Sequence, residues 1–351
     1  MKKIFLTLFL ILGSLAFSGC SFPGTSTTVN SPMSNATVIK TVDSGNSWQP
    51  KIKVDDKKNI SSVDVLSMAI DPADANIIYL GTMANGLFVS KDGAETWTQV
   101  AFADKAYGLV FDPADHNVMY ASGVFKNRGK IYKRLLESEE WKEVYTEPAD
   151  GTVISSLAIN KVNSQVLFAG TSEGVIIKTV DGGATWKNIK KADGPVTSIV
   201  FDSANDWHLF FGIFQLGVLE TKDGGKNIED ITKNINTVSS VSSVNSVVSD
   251  PSAGGVIYVG TDNGLFKKTG SGDSWKNLNI IESSRVFPIR TVAINPKNSN
   301  ELMYVSAQVV YKSTDGGAHW TTFQVGASKE ISVLKYDESD SNRIYGGLRK
   351  Y

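Results

Sequence analysis

Along this chain, apolar residues come in short bursts that alternate with polar or small residues, and a turn signal follows every 8 to 12 positions. A period of two broken by such turns predicts short strands and an all-β fold. The bursts recur in groups of four. The first in a group runs into a turn, as in SMAIDPADAN (67–76), GLVFDPADHN (108–117) and VAINPKNSN (292–300). The second carries an aromatic with a small residue two places on: Tyr79 and Gly81, Tyr120 and Ser122, Phe168 and Gly170, Phe210 and Gly212, Tyr258 and Gly260, Tyr304 and Ser306, Tyr345 and Gly347. The third (GLFVS at 86–90, GLFKK at 264–268) enters a phrase of the form Ser/Thr-x-Asp-x-Gly-x-Ser/Thr-Trp, and the fourth starts at its Trp.

That phrase sets the period. It is cleanest around Asp43 and Trp48, Asp181 and Trp186, and Asp315 and Trp320, and one glycine short around Asp92 and Trp97. Worn copies hold Asp223 but end at Ile228, or keep Trp275 with Gly270 in place of Asp, and KRLLESEEW retains Lys133 and Trp141. The closing positions are 49, 44, 45, 42, 47 and 45 residues apart. Repeats of that length build propellers or solenoids, and four strands per repeat make a propeller blade. The chain begins and ends out of phase: residues 36–50 supply third and fourth strands, residues 331–351 first and second. Joined, they make a seventh blade, closing a ring of four-stranded antiparallel blades with no edge open to another chain.

The phrase also places chemistry. Asp at a turn accepts backbone N–H groups just downstream, Gly permits positive φ, and Trp offers area for packing between blades. Catalysis needs one constellation, whereas this motif recurs and decays around the ring, so Asp43, Trp48, Asp92, Trp97, Asp181, Trp186, Asp223, Trp275, Asp315 and Trp320 read as structural. The carboxylates at 71, 112, 202, 250 and 337 occupy the turns between first and second strands, with Asn160 and Asn295 as stand-ins. His116, His208 and His319 have no metal-site spacing. There is no Gly-rich phosphate loop and no G-x-S-x-G nucleophile motif. No catalytic, cofactor-binding or metal-binding residue is therefore named, and neither cofactor nor metal is expected.

The motif resembles the Asp-box or BNR repeat, and the resemblance covers essentially the whole chain after residue 35. Families with such repeats include sialidases, tandem-propeller xyloglucanases, the sortilin ectodomain and the photosystem II assembly and stability factors. The last is most similar over the whole chain and implies a seven-bladed, non-catalytic assembly role. Sialidase resemblance implies three arginines from separate blades, but all six arginines lie at Arg128 or later. Xyloglucanase resemblance implies two carboxylates across a cleft between two propellers, where this chain supplies one.

Charge and termini give an address. Lys2 and Lys3 precede an apolar run from Ile4 to Phe17, too short to span a membrane, then Ser18 and Gly19 before Cys20. This is similar to a bacterial lipobox and predicts a signal peptide over 1–19, lipidation of Cys20, and a tether over 20–35 with a reach of roughly 20 Å. The propeller is then expected over 36–351, extracytoplasmic and lipid-anchored in the cell envelope. Cys20 is the only cysteine, so no disulfide or cysteine metal site is expected. Removing the leader leaves 33 basic against 36 acidic residues, which does not suit a nucleic-acid binder.

Strand connections alternate between two ends of a blade. The Asp phrase and the first turn share one end; second-to-third loops and blade connectors occupy the other, where recognition residues of a regular scaffold usually lie. Three stretches stand out there: VFKNRGK (124–130) with Phe125, Lys126 and Arg128; FQLG (214–217) with Phe214 and Gln215; and SSRVFPIR with Arg285, Phe287 and Arg290. Tyr107, Asn245 and Arg290 occupy equivalent places on first strands and are expected to line the channel mouth. Serine-rich NTVSSVSSVNS (236–246) reads as a polar loop. The expected function is a monomeric, membrane-tethered scaffold binding a protein partner; the alternative is a carbohydrate-active enzyme or glycan-binding propeller.

Overall fold

The strand groups fold as separate antiparallel sheets. The computed structural model describes residues 33–103, 105–135, 140–236, 241, 243–270, 274–281 and 286–351. Among them, 28 strands, β1 to β28 in chain order, form seven four-stranded sheets. Counting blades from Val65, six follow chain order and the seventh has the order β2-β1-β28-β27. One short helix, α1 (Thr232–Asn236), lies between the fourth and fifth blades, entering the segment read as a serine-rich loop.

The first strands of the blades are β3 (Val65–Ile70), β7 (Lys105–Phe111), β11 (Ile154–Ile159), β15 (Val196–Phe201), β19 (Val244–Ser249), β23 (Ile289–Ile294) and β27 (Glu330–Tyr336). Each pairs with one neighbour in its own sheet and packs on the first strand of the next blade, with β27 returning to β3. They are therefore the inner wall of a closed seven-bladed β-propeller. Closure is made as expected: β1 (Val38–Thr41) pairs with β28 (Ile344–Arg349) from Val38 opposite Gly347 to Thr41 opposite Ile344. β2 (Gln49–Pro50) completes that sheet.

Packing explains the aromatic and small-residue rule. Tyr79, Tyr120, Phe168, Phe210, Tyr258 and Tyr345 are buried on the face turned to the following blade. Each such ring contributes roughly 1.5–3 kcal/mol of burial. Two residues on, the next inner strand comes too close for a side chain: a Cβ on Gly81 would lie 2.5 Å from the Ala106 carbonyl oxygen, one on Gly170 2.4 Å from Val196 Cγ1, and one on Gly347 2.6 Å from Val65 Cγ1.

The sixth blade breaks the rule and corrects one expectation. There Met303, not Tyr304, lies opposite Ala293 and packs toward the seventh blade, with Val305 at the small-residue position. Tyr304 faces the fifth blade and stacks on Tyr311 at 4.4 Å. A one-residue slip along a strand moves a side chain to the opposite face. Met303 also takes the place below the next blade's turn that Phe168 takes elsewhere: a Cβ on Gly45 would lie 2.7 Å from Met303 Cε, and one on Gly225 3.3 Å from Phe168 Cε1.

All seven inner strands carry a register break near their start, after the first pairing in five blades and after the second in the second and seventh. The unpaired residue is Leu66, Ser155, Thr197, Asn245, Arg290 or Ser332 in six blades, and Tyr107 with Gly108 in the second. Such bulges re-aim side chains at a rim. Where the residue is small it ties blades together: Ser155 Oγ donates to the Val196 carbonyl at 2.6 Å and Ser332 Oγ to that of Val65 at 2.7 Å.

Candidate functional site

The two ends of the ring differ in how their polar groups are used. At the turn end, Asp43 Oδ1 accepts from the Thr41 hydroxyl at 2.6 Å and the Ser47 amide at 2.9 Å, and its Oδ2 accepts from the Ser47 hydroxyl at 2.6 Å. Asp92 and Asp181 repeat that geometry with Ser90, Thr96, Thr179 and Thr185. Asp223 is held instead by Asn227 and Asp315 by His319, through side chain and amide alike. Side-chain hydrogen bonds from Ser47 and Thr41 hold Asp43 down at about 2, those from Thr179 and Thr185 hold Asp181 there, and the Asn227 amide and side chain do so for Asp223. These carboxylates stay ionised and have their acceptor sites filled.

The first-to-second strand turns are held through one oxygen of the turn residue. Asp71, Asp112, Asn160, Asp202, Asn295 and Asp337 each accept from the backbone N–H two residues on, and so does Asp250 from Ser252. The two kinds of turn join: the Gly93 amide donates to the Asn76 carbonyl, Gly182 to Gln165, Gly224 to Trp207 and Gly316 to Asn300, each at 2.8 or 2.9 Å. Third-strand lysines then reach the next blade, Lys40 to the Gly93 carbonyl at 2.7 Å, Lys178 to Gly224 at 2.7 Å and Lys312 to Ser44 at 2.6 Å.

A charged group is also sealed between the fourth and fifth blades. His208 bridges two carboxylates, Nδ1 lying 2.9 Å from Asp202 Oδ2 and Nε2 2.8 Å from Glu220 Oε1, with Lys268 Nζ 3.6 Å from the same Glu220 oxygen. All four are buried. Desolvation works against the Glu220 carboxylate, but hydrogen bonding from His208 and the nearby lysines outweigh it and lower its pKa. A substrate could not reach this set. It is a structural clamp that replaces the lysine reach of other blades, Glu220 standing opposite Phe210 as Lys178 stands opposite Phe168.

The other end is where the irregular residues gather. Tyr107, Asn245 and Arg290 do occupy equivalent bulge positions, which sit at the start of the inner strands and so at the mouth of the central channel. Arg290 Nε donates to Glu330 Oε2 at 3.1 Å. Two residues that pattern reading did not find complete the cluster. Arg349, at the end of β28, and Arg290 both place their guanidinium carbon 4.0 Å from the centre of the Tyr351 ring. Burial raises the Tyr107 pKa, opposed by the positive charge of Arg349. Arg349 Nε and Asn245 Nδ2 are buried and have no hydrogen-bond partner among the described residues.

The remaining expected residues lie on separate blade tips. VFKNRGK, expected to be a longer loop, is the tip of an extended hairpin: β8 (Val118–Phe125) and β9 (Arg128–Leu135) pair as far as Phe125 opposite Arg128. Lys126 and Asn127 both have positive φ, the geometry of a two-residue hairpin turn. Arg128 pairs with Asp150 at 2.6 Å and Lys130 with Glu143 at 2.5 Å, so these cations are partly spoken for, while Phe125 stays exposed under the ammoniums of Lys126 and Lys130. Phe214 and Gln215 form the fourth blade's tip beside exposed Leu216. Phe287 is exposed next to Val286 in the connector leading to Arg290. Arg285 and Cys20 lie outside the described residues.

No protein-family model matches the chain. The oligoxyloglucan-reducing-end-specific xyloglucanase of Emericella nidulans is 28% identical over 138 residues, 36% of this chain and 16% of that protein. Among solved structures, the GH74 xyloglucanase from Xanthomonas campestris superposes with a TM-score of 0.70 at 16% identity, covering 82% of this chain and 51% of its own. YCF48 bound to D1 peptide superposes with a TM-score of 0.63 at 14% identity, covering 82% of this chain and 92% of its own. The chain thus spans about half the length of that xyloglucanase and nearly all of YCF48. At such identities the superpositions show a shared propeller fold.

Proposed function

We propose that this protein is a non-catalytic scaffold that binds a protein partner through the mouth end of its propeller and is held at an envelope membrane by acylation of Cys20. The observation that carries the reading is the Arg290, Tyr351 and Arg349 stack beside Tyr107, flanked by exposed Val286 and Phe287. Arginine and aromatic residues together anchor protein interfaces. YCF48, a propeller matched over nearly its whole length, has a bound peptide, which favours the same class of ligand. The turn phrases are, on this reading, Asp-box repeats that stabilise blades and take no part in recognition.

A second reading, a glycan-active propeller, is favoured by the 28% identity to a xyloglucanase. Glycoside hydrolysis needs two carboxyl groups across a gap, about 5 Å apart with retention or up to about 9.5 Å with inversion. The turn carboxylates are committed to backbone amides, which weighs against their serving as that pair. Crosslinking in native membranes followed by mass spectrometry tests the choice. We expect one dominant protein partner that is lost when Arg128, Arg285, Phe287 and Arg290 are all replaced by alanine. A partner indifferent to those changes, or capture of glycan alone, removes the proposed surface.

A further inference from the structure

Seven near-equivalent blades supply an internal control for the charges at the mouth. The bulge position of the inner strand is Leu66, Tyr107, Ser155, Thr197, Asn245 or Ser332 in the other blades, and an arginine, Arg290, only in the sixth. Two places past Gly81 and its equivalents on the second strands stand Met83, Val124, Ser172, Phe214, Asp262 and Ala307, and an arginine, Arg349, only in the seventh. Each set of equivalent positions thus holds one cation, and the two lie on adjacent blades.

These two cations meet on one ring. Their guanidinium carbons each lie 4.0 Å from the centre of Tyr351, so they are at most twice that distance apart. One carboxylate serves both: Glu330 accepts from Arg290 Nε at 3.1 Å and stands opposite Arg349 across the strand pair. Arg349 makes no ion pair among the described residues, and its Nε has no acceptor among them. Like charges so close repel, and the negative face of an aromatic ring offsets that only in part. The ring is also lightly held. Sheet pairing ends at Arg349, the Lys350 amide donates to Asp64 Oδ1 at 3.0 Å, and Tyr351 itself is 55% exposed. Arg290 and Glu330 keep 24% and 29% of their side-chain surface in solvent, so the pair is reachable from the mouth.

We propose that Arg290 and Arg349 form a carboxylate-binding site for an acidic peptide segment, and that Tyr351 is a latch over it which the arriving acidic group displaces. This rests on the reading of the mouth as the recognition end, and adds the group recognised and the part that moves. A carboxylate brings a full negative charge and two acceptor oxygens, where the ring offers only a quadrupole. The bound group bridges the two guanidiniums and supplies the counter-charge that Glu330 cannot give to both. Opening the latch costs its two cation–ring contacts, so apparent affinity follows the fraction of molecules in which the site is uncovered.

Fluorescence polarisation of labelled tetraglutamate with the full chain tests the latch, with tetraglutamine as the uncharged peptide. Tyr351→Ala should bind tetraglutamate about five-fold or more tighter than the unmodified chain, the scale of two exposed cation–ring contacts. Tyr351→Phe keeps the ring face and should match the unmodified chain within about two-fold. Arg349→Ala added to Tyr351→Ala should weaken binding by about ten-fold, as loss of a charge-assisted contact does. Equal or weaker binding by Tyr351→Ala would overturn the latch, and tetraglutamine bound as tightly as tetraglutamate, or no tetraglutamate binding by any of these proteins, would overturn the site. The titration needs no cellular partner, so it separates this inference from the reading beneath it: tighter binding by Tyr351→Ala with no protein captured in native membranes would sink that reading and leave the latch in place.

Discussion

The turn end and the mouth end of this ring are built from the same strands, yet one repeats and the other does not. At the turn end, five blades use the same Asp to hold the same amide and hydroxyl, and each such turn docks on the turn beside it. At the mouth, equivalent bulge positions carry Leu66, Tyr107, Asn245, Arg290 or a small hydroxyl. A position that recurs through a repeat answers a packing or hydrogen-bonding need shared by all blades. A position that differs in each blade is released from that need and is free to meet a ligand.

The largest test of this contrast concerns closure, on which both ends depend. A chain starting after Thr41 leaves β28 with an open edge in place of its pairing with β1. We expect it to lose its single cooperative melting transition and to self-associate, as read by circular dichroism and size-exclusion chromatography. A cooperative monomer at unchanged melting temperature would show that closure by these strands is dispensable.

Next in size is the clamp between the fourth and fifth blades. His208→Ala removes the group between Asp202 and Glu220 and leaves two buried carboxylates, Glu220 with Lys268 and the largely exposed Lys222, and Asp202 with the Ala204 and Gly255 amides. Breaking a buried charge set in this way costs about 3–5 kcal/mol. Urea unfolding reads it directly. A loss below about 1 kcal/mol, the scale of an exposed ion pair, would mean that water reaches the set.

The aspartate turns give a smaller, pH-dependent effect with a defined sign. Asp43, Asp181 and Asp223 have folded pKa values near 2, below the unfolded value of about 3.9. A carboxyl depressed by folding contributes stability that is fully present above its unfolded pKa and lost as pH falls through the folded one. Stability should therefore decline between about pH 4 and pH 2. Asp181→Asn keeps the turn shape but removes a titrating group, so its stability should depend less steeply on pH in that window. Identical slopes for the two proteins would show that Asp181 is not held as the geometry implies.

Most of the fold was legible because a repeated sequence samples one structural requirement seven times. Strand grouping, the composite blade and the inward Tyr or Phe all follow from that redundancy. The miss at Tyr304 came from a Met-Tyr pair in which either residue suits a buried strand; counting from the turn resolves it, since the buried residue is eight places after Asp71, Asp112 or Asn160, and eight after Asn295 is Met303. Arg349 was passed over because the second strand of the composite blade was read for its aromatic, not for where its end would lie. The hairpin at Phe125 looked like a loop because Lys126 and Asn127 are polar, although a two-residue turn with positive φ needs residues of that kind only at its tip.

The smallest stability effect, and the sharpest separation of the two ends, is expected at Arg349. Its guanidinium stacks on exposed Tyr351 and its Nε has no acceptor among the described residues, so the folded protein gains little from it. Arg349→Ala should change the unfolding free energy by no more than about 0.5 kcal/mol, the range of ordinary surface substitutions. Recovery of the crosslinked partner should nonetheless fall by about ten-fold, because a desolvated arginine at an interface centre carries more binding energy than folding energy. Arg349→Lys keeps the charge and loses the planar stacking surface; partial recovery with that variant would separate charge from stacking. Large destabilisation with unchanged partner recovery would reverse the assignment and make the mouth, like the turn end, a part of the scaffold.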